Sequence, residues 1–149
     1  ARCKRHNDTC RVLLQKLKTR HVQYLCEPHI ATARSFIKPD IIVLRDNKAF
    51  VLDVAICDAD RMDATVRLKL DKYAAEANGR RIEGFIRSVY PLVPFVVHAP
   101  IIFNNRGFIH PQSHKTLLSL NLTKLDVSDL CVNTIQGSLR TYDTYMRGC

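Results

Sequence analysis

Lys38-Pro39-Asp40-Ile41-Ile42-Val43-Leu44-Arg45-Asp46-Asn47-Lys48-Ala49-Phe50-Val51-Leu52-Asp53-Val54-Ala55-Ile56-Cys57 is the stretch on which the fold turns. Two short, apolar, β-branched runs, Ile41 to Leu44 and Phe50 to Cys57, flank Arg45-Asp46-Asn47-Lys48. That pattern is strand, tight turn, strand. With Asp46 and Asn47 as the two central turn residues, Arg45 faces Lys48, Val43 faces Phe50 and Asp40 faces Asp53. A three-residue loop would shift the pairing by one. Phe50 to Cys57 is apolar on both faces, which predicts a central strand covered from both sides.

The register matters because it opposes two carboxylates. Like charges directly across a sheet repel. Asp53 also lies inside an apolar run, where an unpaired charge is costly. A divalent cation held by oxygen ligands neutralises such a pair directly. The alternative for Asp53 is a structural salt bridge to a buried Arg or Lys. For Asp40 alone, after Pro39, ordinary turn chemistry is the alternative.

The next segment, Asp58 to Ala77, reads as a helix. Asp58 or Asp60 can cap it, and Asn78-Gly79 is expected to end it. Stepping ~100° per residue from Met62, Val66, Leu70, Tyr73 and Ala77 form the core stripe. Lys69 falls inside that stripe, Lys72 at its edge, and Asp71 opposite. A lysine facing the sheet requires an anionic partner, which the two aspartates or a phosphate would supply. Otherwise its stem covers apolar surface while the ammonium reaches water.

Outward from this centre, Asp8 to Leu25 is predicted to be a basic amphipathic helix, with Val12, Leu13, Leu17 and Tyr24 on its apolar side and Pro28 just beyond it. Arg80 to Ser88 is expected to form a short helix. Val93 to Phe103, carrying Pro94 and Pro100, is expected to form an interrupted or edge strand. Asn104 to Gly107 reads as a turn, and His114 to Leu120 and Lys124 to Arg140 as helices. The order predicts an α/β sandwich: a central mixed sheet flanked by helices, in one domain spanning 1–149.

Composition limits the function classes. Apolar residues make up 46% and charged residues 25%, as in a folded soluble domain. No apolar run approaches the ~20 residues of a membrane span, and the polar, basic beginning is no secretory signal. The absence of an initiator Met is expected of a piece of a longer protein. The net charge of +9 fits a polyanionic partner, nucleic acid above all. Lys16, Arg20, Lys38, Arg80, Arg81 and Arg106 are candidates to track a DNA backbone, giving affinity without sequence choice. Six cysteines without a CxxC suit a reducing compartment rather than a disulfide framework. Cys3-x2-His6 and Cys26-x2-His29 are Cys/His pairs, but a helix of the predicted length would hold them apart, so zinc is not expected within the chain. His110 and His114 are expected to be surface histidines.

Lys38-Pro39-Asp40, with twelve residues before Asp53, resembles the PD-(D/E)xK restriction-like nucleases. Their usual lysine would stand at position 55, which here is Ala55. Lys69-Leu70-Asp71-Lys72-Tyr73 looks like the displaced Lys-x-x-Lys-Tyr signature of one subgroup, the restriction-like endonuclease domain of site-specific non-LTR retrotransposons. Arg5-His6-Asn7 ahead of the predicted first helix, Glu27-Pro28, Arg106-Gly107 and Gly137-Ser138 extend the resemblance over nearly the whole chain.

The resemblance implies a nuclear DNA endonuclease that nicks a chromosomal target, the freed 3′-hydroxyl then priming reverse transcription of element RNA. It implies Mg²⁺, replaceable by Mn²⁺, held by Asp40 and Asp53 with the carbonyl of Val54 and, at the end of the first helix, Glu27. It implies Lys69, or else Lys72, as the lysine that orients the attacking water and stabilises the transition state. Double-stranded DNA, the element RNA and the reverse transcriptase region of the same polyprotein are the implied partners. The alternatives are a basic nucleic-acid-binding domain of the same fold without activity, and a related nuclease acting on branched DNA or RNA.

Overall fold

The computed structural model describes residues 2–28, 30–31, 36–74 and 76–146, with side chains for 4–28, 30, 38–73 and 78–139. In order it has α1 (Arg2–Thr19), β1 (Gln23–Cys26), β2 (Ile30–Ala31), β3 (Phe36–Ile37), β4 (Ile41–Arg45) and β5 (Lys48–Cys57). Then follow α2 (Met62–Ala74), α3 (Glu76–Val89), β6 (Phe95–Asn104), α4 (Pro111–Ser119) and α5 (Lys124–Met146).

The hairpin forms as its sequence predicts. Asp46 and Asn47 both take left-handed backbone, with φ of 51° and 62°. That is the two-residue turn whose twist matches the strands it joins. Paired residues run from Arg45 with Lys48 to Ile41 with Leu52. β5 is central: the sheet order is β1-β4-β5-β6, antiparallel except for the parallel β5–β6 pair. Parallel neighbours need a crossover, which α2 and α3 provide. β6 lies at the edge, where Pro100 is tolerated. β2 and β3 form a separate two-stranded piece.

Alternation along the strands divides the core into two layers. Ile41, Val43, Leu52 and Val54 pack with Leu13 and Leu17 of α1, Leu117 of α4 and Leu130 of α5. Ile42, Ala49 and Val51 pack on the other face with Tyr73 of α2 and Ile82 and Ile86 of α3. Asp53 continues the Ala49–Val51 row and so turns toward α2.

Four expectations are corrected. The first helix stops at Thr19 instead of reaching Leu25, because His21 turns left-handed at φ 56° and Gln23–Cys26 pairs with β4. Arg5-His6-Asn7 lies within that helix, not ahead of it. Asn78-Gly79 does not end a helix; α3 runs through it, held by the buried Ile82 and Ile86. The last two helices also begin or end further out than expected, α4 at Pro111 and α5 at Met146.

Candidate functional site

Asp40 stands one residue before β4, and the hairpin register continued by one position sets it opposite Asp53. Both side chains are largely buried, 13% and 8% exposed. Pro39, also buried, fixes the approach of the chain to this position. The two carboxyls act on each other's proton affinity.

Each acid meets one cation. Lys69, from α2, places Nζ 3.0 Å from Asp53 Oδ2. His6, from α1, places Nε2 3.2 Å from Asp40 Oδ2, which also accepts the Val54 N–H at 2.8 Å. Lys72 points elsewhere: its Nζ lies 4.8 Å over the Tyr73 ring. Tyr73 is buried beneath, its hydroxyl donating to the Lys38 carbonyl at 3.5 Å.

The two acids are held unequally. Burial pushes Asp53 up, to about 6, reinforced by hydrogen bonding with Asp40 and by its negative charge, and Lys69 offsets only part of this. Burial would raise Asp40 as well, but hydrogen bonds from His6, from Asp53 and from the Val54 N–H outweigh it and hold Asp40 below the ordinary range. The His6 imidazole is correspondingly raised, first by its hydrogen bond to Asp40.

This arrangement bears on the structural-salt-bridge alternative. An ion pair that only held the fold would satisfy its own carboxylate. Asp53 stays raised despite Lys69, and its buried Oδ2, though 3.0 Å from the ammonium, has no hydrogen bond of acceptable angle. Two buried carboxylates side by side offer oxygen ligands that fit a hard divalent cation such as Mg²⁺.

Beside the acids lies an open cleft of about 670 Å³. Its walls are the start of α1 (Arg5, His6, Asn7), the end of β5 from Val54, and Arg61, Leu68 and Lys69 at α2. Ala55 lines it, leaving open the place where the usual lysine would stand. Arg5 reaches across to α5, donating to Ser138 Oγ at 3.1 Å. A side chain at Gly137 would press on Arg5 at 3.0 Å, so these separate sequence features form one contact.

The other expected residues lie around this centre. Glu27 is not at a helix end: it follows β1 in left-handed backbone at φ 47°, and its N–H bonds the Asp40 carbonyl at 2.8 Å. Its half-exposed carboxylate lies 4.0 Å from Lys38. The contact Val54 makes with Asp40 is through its N–H. Lys16 and Arg20 face α5, where Lys16 pairs with Asp129 at 2.7 Å and Arg20 with Asp126 at 2.8 Å. Arg80 and Arg81 are exposed on α3. Arg106 is exposed in the turn after β6, by Asp58 and Asp60 rather than in the cleft beside Lys69. Of the Cys/His pairs, the side chains of Cys3 and His29 lie outside the described residues. His110 caps α4, accepting the Gln112 N–H, and its Nε2 lies 2.7 Å from Asp63.

Sequence reasoning missed His6, Arg5 and Arg61 as site residues. Only the resemblance of Arg5-His6-Asn7 pointed at the first two; for Arg61 there was no signal.

No protein-family model matches the chain. It is similar to the retrovirus-related Pol polyprotein from type-2 retrotransposable element R2DM of Drosophila melanogaster, with 26% identity over 147 residues. The match covers 97% of this chain and 14% of that polyprotein, so the chain spans about one-seventh of the length of this curated relative. Among the described residues no helix is long and apolar enough to cross a membrane.

Proposed function

We propose that this chain is the metal-dependent DNA endonuclease domain of a non-LTR retrotransposon polyprotein. It nicks a chromosomal target in the nucleus, and the freed 3′-hydroxyl primes reverse transcription of the element RNA by another region of the polyprotein. The observation that carries this reading is the buried pair Asp40 and Asp53 with Lys69 at 3.0 Å, beside a cleft that Lys69, Arg5 and Arg61 line. Similarity along almost the whole chain to the Pol polyprotein of a retrotransposable element supports the polyprotein origin.

Phosphodiester hydrolysis needs a hydroxide and charge neutralisation at the phosphate. Asp40 and Asp53 would hold Mg²⁺, or Mn²⁺ in its place, which would supply both as Lewis acid and by lowering the pKa of bound water. Lys69 sits beside that pair as a fixed cation where negative charge develops in the transition state. Arg5 and Arg61 in the cleft wall hold the backbone phosphates by charge, independent of base sequence. Val54 orients Asp40 through its N–H, and Tyr73 anchors α2 in the core beside Ile82 and Ile86.

A second reading has its own observation. Each acid already has a cation, Lys69 for Asp53 and His6 for Asp40, as a binding domain without activity would require. Supercoiled plasmid, a four-way junction and single-stranded RNA, each incubated with the chain in Mg²⁺ or EDTA, separate the readings. Nicking of plasmid in Mg²⁺ alone is the expected result. Retention of DNA without cleavage in either condition supports the binding domain, and preference for the junction or RNA supports a nuclease of another substrate class.

A further inference from the structure

We propose that His6, Cys10 and Asp40 form a binding site for a soft divalent ion, Zn²⁺ above all, with donor chemistry unlike that of the carboxylate pair. His6 and Cys10 stand four residues apart on α1, so their side chains share one face of the helix. The His6 Nε2 lies 3.2 Å from Asp40 Oδ2 and 3.7 Å from Cys10 Sγ. All three donor atoms fall within 4.8 Å of one another.

Those separations have the size of a coordination shell. Ligands at zinc's usual bond lengths, placed tetrahedrally, lie roughly 3.3–3.6 Å apart. Two of the three edges are already near that value, and the third, between Cys10 and Asp40, is within 4.8 Å. His6 also lines the cleft, from which water would supply a fourth ligand.

Orientation around the site suits ligation. The other ring nitrogen of His6, Nδ1, lies 3.3 Å from Asn7 Oδ1, so an N–H there leaves Nε2 facing Cys10 and Asp40. Metal-bound histidines commonly donate their second N–H in this way. The Val54 N–H holds the Asp40 oxygen from the other side. A thiol, an imidazole and one carboxylate oxygen select zinc over magnesium, which takes oxygen ligands and dehydrates reluctantly. On binding, the metal displaces the Cys10 thiol proton and the proton on His6 Nε2.

The sequence expectation of no zinc rested on pairing Cys3 with His6 and Cys26 with His29. The fold instead joins His6 to Cys10 and to Asp40, thirty-four positions away in the chain. Asp40 belongs to both donor sets, so on the nuclease reading zinc bound here competes with Mg²⁺ for that carboxylate; binding itself does not depend on that reading.

Cobalt(II) reports its ligands through its spectrum and stands in for zinc. Titrated into the purified, reduced chain, it is expected to give a thiolate charge-transfer band in the near ultraviolet and intense visible bands of tetrahedral type. They saturate at about one ion per chain. Zn²⁺ bleaches them and a large excess of Mg²⁺ does not. Cys10→Ser, checked for folding by circular dichroism, abolishes the charge-transfer band, and His6→Gln shifts or abolishes the visible bands. Absence of a thiolate band in the folded wild type overturns the proposal. So does a band that survives Cys10→Ser, because the thiolate then comes from another cysteine. Neither readout involves DNA cleavage.

Discussion

Lys69 reaches Asp53 from the facing helix, Nζ to Oδ2 at 3.0 Å, whereas Lys72, one turn on, stacks over Tyr73. Two lysines of one short motif thus have different surroundings. Lys69→Met is expected to slow single-turnover nicking about 100- to 1,000-fold, the usual loss when a fixed donor to a developing charge is removed. Lys72→Met is expected to lose far less and mainly in DNA affinity. Rates measured at saturating DNA, with binding measured separately, distinguish the two. Equal losses from both would contradict the assignment.

Metal binding should depend on pH in a definite direction. Burial raises Asp53 to about 6, so below that pH its carboxyl holds a proton that competes with a cation. Mg²⁺ at a hundredfold excess over its Kd is expected to stabilise the chain by about 2.7 kcal/mol at pH 7.5. That is a rise in Tm of roughly 5–10 °C for a chain of this size. The rise should shrink steadily below pH 6, in thermal melts with and without Mg²⁺. A rise equal at pH 5 and pH 7.5 would show that Asp53 is not a ligand.

Asp126 ties α1 to α5. It accepts from Arg20 at 2.8 and 3.1 Å and closes a reciprocal cap with Thr123, whose N–H it accepts at 2.9 Å. The Arg20 hydrogen bond, first, and those from Thr123 hold its carboxyl well below the usual range. A depressed carboxylate adds stability that is present above the unfolded value and lost as pH falls through the folded one. Asp126→Asn should therefore lower Tm at pH 5 to 7, and the difference from wild type should close only in strong acid, well below pH 4. Thr123→Ala should cost about 1 kcal/mol through loss of the cap.

Gly107 has φ 84°, and a Cβ there would fall on the Ile135 side chain and lie 3.1 Å from the Cys131 carbonyl. Gly107→Ala should destabilise by about 1–2 kcal/mol from the left-handed backbone alone. In an Ile135→Ala background the side-chain overlap is gone, so adding Gly107→Ala there leaves the backbone cost. Denaturant melts of the single and double variants test this; full recovery in the double variant would place the whole cost in packing.

What was legible in the sequence was what local chemistry decides. Asp46-Asn47 sets a two-residue turn, the turn sets the register, and the register opposes Asp40 to Asp53. The 3.6-residue period set Lys69 on the sheet-facing side of α2. What was not legible depended on partners far along the chain. Gln23–Cys26 continued a plausible helical pattern, and only its pairing with β4 makes it a strand. The left-handed turn at His21 has neither Gly nor Pro to announce it. Asn78-Gly79 looked like a helix end, yet burial of Ile82 and Ile86 carries α3 through. Lys16 and Arg20 read as surface charge, although Asp126 and Asp129, more than a hundred positions away, engage both. His6 gave no signal of its own, because its meeting with Asp40 needs α1 to lie across the end of the hairpin.

The central claim is that Asp53 and Asp40 form the centre of a metal-dependent nuclease. Supercoiled plasmid incubated in Mg²⁺ with wild type and with Asp53→Asn, each shown folded by circular dichroism and each retaining DNA binding, tests it most directly. The account predicts nicking by wild type that EDTA abolishes and no detectable nicking by Asp53→Asn. Metal-dependent nicking at an undiminished rate by Asp53→Asn would contradict it.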